Sequence, residues 1–286
     1  AACALILLAL ILLFWQKLGR KGFRFFILRA FTLLLLNLVA ISAIAVSLNN
    51  YGQFFNSWGE LIGRKDRPPL IVASANTKLS KLDLQKGKRT KDGSLIIRRL
   101  IRGEVSGVTT EVYFSLPPSF VSSLENNVAP RSNYPVLQFL PGYPGHATAW
   151  IHGMDIVDRE DRARKLGKLP EVISVLPQIN VSGKLDTECM NIRGGPQIES
   201  WLSQDVVSYL RTWLGQGNQK WSVIGYSTGG WCATMLALRH PDLYASASSI
   251  AGYYRPMPAA QLAETEKQRD RKSTRLNSSH VSESRM

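Results

Sequence analysis

Two long apolar runs open the chain, separated by a basic stretch. Residues 1–15 are almost wholly apolar. Residues 16–29 carry Lys17, Arg20, Lys21, Arg24 and Arg29 with no acid, and residues 30–48 form a run of 19 without a charge. About 20 such residues, rising 1.5 Å each, cross a bilayer core of roughly 30 Å. The pattern predicts two transmembrane helices over 1–50, the first of them partial, with Asn37 tolerated in a packed helix. The basic loop between them belongs on the cytoplasmic side, which sends the chain after Asn49 out of the cytoplasm. A second reading makes 30–48 the apolar region of a signal peptide, with Ala43-Ile44-Ala45 as its cleavage site. The apolar run upstream weighs against it, because signal peptides sit at the N-terminus. Length and charged flanks weigh against a third reading, a pair of buried core helices. The first two readings both export the rest of the chain.

Residues 51–63 (YGQFFNSWGELIG) are aromatic and apolar, as at a membrane interface. Residues 64–92 hold nine basic against three acidic residues, with Pro68 and Pro69, and read as a solvated linker. From Gly93 the pattern changes. Residues 94–101 and 109–116 alternate like paired strands, the second ended by Pro117-Pro118. The short apolar runs 136–140 and 172–176 read as buried strands, and 155–166 as a helix. Ile198, Trp201, Leu202, Val206, Leu210 and Trp213 share one face of a helix opened by Pro196. A strand over 221–224, a helix over 230–239 stopped by Pro241, and a strand over 245–250 complete the order. Strands alternating with helices imply an α/β fold with a parallel sheet covered on both faces.

Composition fits a folded protein: of 286 residues, 45% are apolar and 20% charged. The net charge of +14 raises the question of nucleic acid. Its distribution answers it. The stretch 16–29 contributes +5 and the stretch 64–92 contributes +6, so the basicity lies beside the apolar helices and the later domain is near neutral. A nucleic-acid partner is therefore not expected, and the membrane is. Three cysteines make no paired CxxC metal site, and neither a metal nor an organic cofactor is implied. Residues 270–280 read DRKSTRLNSSH, the in-frame translation of a common sequencing-library adapter. The stretch 270–286 is expected to be an assembly scar, with the natural protein continuing past Arg269. The organisation expected is thus a membrane segment over 1–50, an interfacial and basic linker over 51–92, an incomplete domain over 93–269, and an artefactual tail over 270–286.

The chemistry centres on Ser227. Gly225-Tyr226-Ser227-Thr228-Gly229 is G-x-S-x-G between an apolar strand and a helix, the context of a nucleophile elbow. Gly225 and Gly229 flank it because side chains there would strike the neighbouring strand and helix. The helix N-terminus behind Ser227 favours developing negative charge. Attack on an acyl carbon also needs an oxyanion hole. Thr228 N–H supplies one donor, and Tyr143 N–H in Leu140-Pro141-Gly142-Tyr143-Pro144-Gly145 is the natural second, because Pro141 and Pro144 have none to give.

Four segments carry a resemblance: FLPGYPG (139–145), DTEC (186–189), GGPQIESWLSQDV (194–206) and GYSTGGWCA (225–233). Over 93–256 the chain resembles the putative-esterase family of the α/β-hydrolase fold. That family includes esterase D-like enzymes and the secreted mycolyltransferases of actinobacteria. The chain is similar in particular to membrane-anchored actinobacterial members with N-terminal helices. The resemblance implies a C-terminally truncated α/β-hydrolase fold with Ser227 as nucleophile and Tyr143 and Thr228 as the oxyanion hole. It makes a disulfide between Cys189 and Cys232 one of two readings, the other being two buried free thiols. Cys3 lies in the first apolar run.

The family order is Ser, then acid, then His. His146 and His152 precede the serine, His240 ends the elbow helix, and His280 falls in the tail, so none fits the triad order. The expectation is an exported, membrane-anchored serine esterase or acyltransferase acting on acyl esters or lipid-like substrates, this stretch of it being inactive. The rival is a non-catalytic envelope-binding protein on a hydrolase scaffold.

Overall fold

The computed structural model describes residues 23–52, 68–72, 79, 81–181 and 185–255. The first apolar run, the aromatic stretch beyond Gly52, the basic stretch before Pro68, and the tail with His280 lie outside the described residues. The chain divides into two compact units, Ala1–Phe55 and Asn56–Met286.

In the first unit the described element is helix α1 (Phe23–Gly52). Its portion Phe23–Asn49 has 27 residues and is about 40 Å long at 1.5 Å per residue. It is long and apolar enough to span a membrane, a test that a signal sequence also meets. Thr32 Oγ1 donates to Leu28 O at 2.7 Å and Asn37 Nδ2 to Leu33 O at 2.9 Å. The Thr32 hydroxyl proton is thereby satisfied inside the helix, and Asn37 engages one of its amide protons there. The loop expected to run to Arg29 is shorter: Arg24 and Arg29 lie within α1. Arginine is a good helix former, and neither proline nor glycine interrupts the chain from Phe23 to Tyr51.

The second unit is built on a twisted sheet. Its strands in chain order are β1 (Leu70–Val72), β2 (Lys88–Arg89), β3 (Leu95–Arg102), β4 (Thr109–Leu116), β5 (Val136–Leu140), β6 (Ile173–Pro177), β7 (Trp221–Tyr226) and β8 (Tyr244–Ile250). The spatial order is β1-β3-β4-β6-β5-β7-β8, with β2 also on β3. Strands β6, β5, β7 and β8 are parallel. The sheet is mixed rather than wholly parallel, because β4 runs antiparallel to both β3 and β6. The short link from Arg102 to Thr109 leaves no room for the crossover that a parallel pair requires.

Helices cover both faces. Helix α3 (Pro118–Glu125), the helical run formed by α5 (Ile198–Ser200), a π turn (Trp201–Asp205) and α6 (Val206–Leu214), and α7 (Thr228–Arg239) pack on one side. Their core holds the buried Trp201, Trp213, Trp221 and Phe114. A π turn (Ala149–Gly153) and α4 (Ile156–Lys165) cover the other side through Trp150, Val157, Phe139 and Tyr113. The α/β layering expected from the strand–helix alternation, with helices on both faces of the sheet, is thus present. Helix α3 was not expected, because Pro118 was read only as the end of a strand. Proline is equally at home in the first turn of a helix.

The stretch 51–92 is not all linker. Its residues 70–72 and 88–89 pair with β3, and helix α2 (Lys81–Lys86) lies between them. The reason is electrostatic as well as apolar. Arg99 on β3 is 2% exposed; it pairs with Asp83 of α2 at 3.0 Å and lies 4.6 Å from the Trp213 ring centroid. A buried guanidinium without its acid carries a large desolvation penalty. The domain therefore draws one of the few acids of the basic stretch into its core.

Helix α4 carries a titration that bears on stability. Ser174, fully buried on β6, donates to Glu160 Oε1 at 2.6 Å. Burial pushes the Glu160 carboxyl up to about 7, aided by the charge of Asp161 and opposed by the Ser174 hydrogen bond. The unfolded chain ionises this group near 4.5, so the folded state resists ionisation. Stability falls as pH rises from 4.5 to about 7, and the full penalty, up to about 3 kcal/mol, holds above that window. Glu160→Gln is expected to be more stable than the wild type at pH 8 and to lose that advantage by pH 4.5. Urea unfolding at both pH values checks this, and an equal difference at both would overturn it.

Candidate active site

Strand β7 ends at Tyr226 and α7 starts at Thr228, which leaves Ser227 alone at the corner. Its backbone sits at φ 55° and ψ −122°. An L-residue held there stores on the order of 1–3 kcal/mol of strain. The surroundings hold it in place: Ser227 N–H donates to Ile250 O at 2.9 Å, and Ser227 O accepts Gly230 N–H at 2.9 Å. The corner is closed by backbone contact. A Cβ on Gly225 would lie 1.8 Å from Gly229 O, and one on Gly229 would lie 2.2 Å from Leu140 O. Gly225 and Gly229 therefore let β7, α7 and the end of β5 meet. Ser227 remains partly exposed at the N-terminus of the twelve-residue α7, where the aligned amides favour negative charge.

The loop after β5 borders this corner. A Cβ on Gly142 would fall 3.1 Å from Ser227 Cβ and 3.2 Å from Tyr226 O, so the backbone at Gly142 runs beside the serine. Asn180 Nδ2 donates to Gly142 O at 2.9 Å and to Gly145 O at 2.6 Å. Gln178 Oε1 accepts Ala147 N–H at 3.1 Å.

The loop after β6 reaches the other side of the elbow. Thr228 is buried, and its hydroxyl donates to Asp186 Oδ2 at 3.1 Å; Glu188 N–H donates to Asp186 Oδ1 at 2.9 Å. Burial holds the Asp186 carboxyl above its usual range, against the pull of those two hydrogen bonds. Tyr253 donates to Glu188 Oε1 at 2.9 Å and stacks on Trp231 at 6.0 Å. Cys189 and Cys232, both buried, are joined with S–S 2.09 Å, which fastens this loop to α7. The bond closes a separation of 43 residues, for which chain entropy gives about 4 kcal/mol. A Cys189→Ser, Cys232→Ser variant is expected to lose stability of that order in urea unfolding. An unchanged midpoint would show that the bond contributes nothing.

The histidines fall elsewhere. His240 caps α7 at its far end, about 18 Å along the helix from Ser227. Its Nε2 lies 3.0 Å from Glu199 Oε1, which also accepts from Arg239 Nε at 2.7 Å. His146 turns Nδ1 to Thr148, at 3.2 Å from its hydroxyl, and Nε2 towards Glu111 at 3.8 Å. His152 lies on the π turn, lining a cleft with Lys88, Asp155 and Ile96. Asn180 and Tyr253 were not singled out from the sequence, and Asp186 stood only in the DTEC segment of the resemblance, with no role given to it. A polar residue just past the carboxyl end of a buried strand, as in Pro177-Gln178-Ile179-Asn180, was the available signal for the first, since open α/β sheets bind ligands at that end.

The arrangement combines a partly exposed serine on a strained corner, a helix N-terminus behind it and a glycine-bearing loop beside it. That suits nucleophilic attack on a carbonyl carbon with its oxygen facing backbone amides.

Comparison with known proteins gives the same picture of the fold. The profile of the family described as putative esterase matches residues 104–285, a span that includes the stretch set aside above as a tail. An uncharacterised protein of Corynebacterium glutamicum is 27% identical over 150 residues, covering 51% of this chain and 33% of its own length. The chain thus aligns with about a third of that relative. Among solved structures, a ferulic acid esterase is similar over 58% of this chain and 62% of its own, with TM-score 0.50 and 21% identity. An S-formylglutathione hydrolase from Staphylococcus aureus is similar over 57% and 59%, with TM-score 0.46 and 16% identity. At 21% identity the likeness to the ferulic acid esterase is one of fold.

Proposed function

The chain belongs to the putative-esterase family, and on that premise we propose that it is a serine ester hydrolase or acyltransferase working through an acyl-enzyme on Ser227. The observation that carries the reading is the Ser227 backbone, at φ 55° and ψ −122° between β7 and α7, with the Gly142 backbone beside it.

In this reading the Ser227 hydroxyl oxygen attacks the acyl carbon as its proton passes to a general base, which in the family order is a histidine that follows Ser227 and an acid. The carbonyl oxygen becomes an oxyanion that accepts N–H bonds from Tyr143 and Thr228. The C–O bond to the leaving alcohol then breaks, and the base returns the proton to the departing oxygen. Water or a hydroxyl-bearing acceptor reverses the sequence and frees the serine. Hydrolysis and transfer share these steps and differ only in the acceptor. The Cys189–Cys232 bond fits an oxidising compartment. Helix α1, with the basic residues before and within it, supports a membrane anchor that places the domain on the extracytoplasmic side. An ester with a lipid-like acyl chain suits that location.

The test is covalent labelling of the intact protein with a fluorophosphonate. An adduct mapped by peptide mass to Ser227 is expected. An adduct on another serine, or none, would overturn the assignment.

A further inference from the structure

The backbone beside Ser227 is held by a side chain from the loop that follows β6. Both protons of the Asn180 amide are engaged, one on Gly142 O at 2.9 Å and one on Gly145 O at 2.6 Å. The first of these bonds has a consequence for chemistry. Gly142 C=O and Tyr143 N–H belong to one peptide plane, and that peptide is trans, the cis bond being the next one, Tyr143-Pro144. In a trans peptide the C=O and N–H point in opposite directions. Drawing Gly142 O towards Asn180 therefore turns Tyr143 N–H away from it. Rotating that plane breaks the Gly142 bond, and the second bond ties the same loop at Gly145. The backbone at Asn180 is tied in turn: Gln178, 8% exposed, donates from Nε2 to the Asn180 backbone carbonyl at 3.4 Å, while Gln178 N–H donates to Glu111 O at 3.0 Å.

Resting on the acyl-enzyme reading, we propose that Asn180 is a positioning residue that aims the Tyr143 N–H at the oxyanion. It touches no reacting atom and acts through the Gly142–Tyr143 peptide. Without it both carbonyls lose their partner and the peptide plane is free to turn. The loss then falls on the state that carries the oxyanion and not on the bound ester.

The experiment compares wild type, Asn180→Ala, the isosteric Asn180→Asp, and Ser227→Ala in the intact protein, by p-nitrophenyl ester kinetics and by inhibition with a trifluoromethyl ketone, which forms a tetrahedral adduct. Removing one oxyanion donor lowers kcat by about 10²- to 10³-fold. A mis-aimed donor should lose at least about tenfold of that, with KM near wild type and a matching loss of trifluoromethyl ketone affinity. Asn180→Asp keeps the volume but carries no proton to donate at pH 7, so it should fall with Asn180→Ala even if the alanine variant folds poorly. Wild-type kcat and ketone affinity in the Asp variant, with Ser227→Ala inactive, would overturn the role of Asn180 and leave the acyl-enzyme reading standing. Full activity in Ser227→Ala would overturn that reading and this proposal with it.

Discussion

Ser227→Ala is expected to lower kcat for ester hydrolysis by the intact protein about 10⁴- to 10⁶-fold while leaving the fold in place. The first figure follows from what the substitution removes. Without Oγ no acyl-enzyme forms, and what remains is the binding of the ester and the two backbone donors, which a side-chain change at position 227 does not touch. The second expectation follows from what the corner depends on. The hydrogen bonds that hold position 227 are made by its own N–H to Ile250 O and by Gly230 N–H to its own carbonyl, and alanine keeps both. Steady-state kinetics with a p-nitrophenyl ester, beside a urea unfolding curve, separates the two effects. Undiminished kcat/KM in a folded Ser227→Ala protein would remove Ser227 from the mechanism.

How much of this was legible beforehand depended on how local the signal was. The elbow was readable because its parts are contiguous: an apolar strand, G-x-S-x-G and a helix occupy residues 221–239. Strands β5 and β6 were readable because both faces are covered, so their sequences are almost continuously apolar. Strand β2 was not, because it is two residues long, Lys88 and Arg89, exposed at the sheet edge. In composition it is the same as a solvated basic stretch. Arg99 alternates correctly as a core position of β3 but carries a charge, and only Asp83, sixteen residues away, makes its burial possible. Asn180 was silent, and Asp186 was visible only as part of the DTEC segment and without a role, for a further reason. Asn180 acts on backbone carbonyls 38 and 35 residues away, and Asp186 on a hydroxyl 42 residues away. No spacing rule encodes such contacts. The pairing of Cys189 with Cys232 was only one of two readings, offered by family resemblance, because a separation of 43 residues says nothing about distance in space.

The elbow glycines give the largest expected effect on stability. At Gly225 an added methyl would meet Gly229 O at 1.8 Å and Gly230 N at 2.6 Å; at Gly229 it would meet Leu140 O at 2.2 Å and Pro141 O at 2.5 Å. Every one of these atoms is backbone, so no rotamer change relieves the clash. Either β7 must part from α7, or α7 must part from the end of β5. Gly225→Ala and Gly229→Ala should each cost about 4 kcal/mol or more, beyond the usual range for overpacking and a large share of a domain's total stability. Two controls calibrate the claim. Gly107, at φ 70° with nothing within 4 Å of a Cβ, should lose only about 1 kcal/mol as alanine, from its left-handed backbone alone. Gly142→Ala meets Ser227 Cβ at 3.1 Å, tight but not forbidden, and should fall between them in stability while lowering activity by pushing the loop off the serine. Urea midpoints for the four variants test the order. A Gly225→Ala protein as stable as Gly107→Ala would mean that strand and helix do not meet as described, and the strained corner that presents Ser227 would go with them.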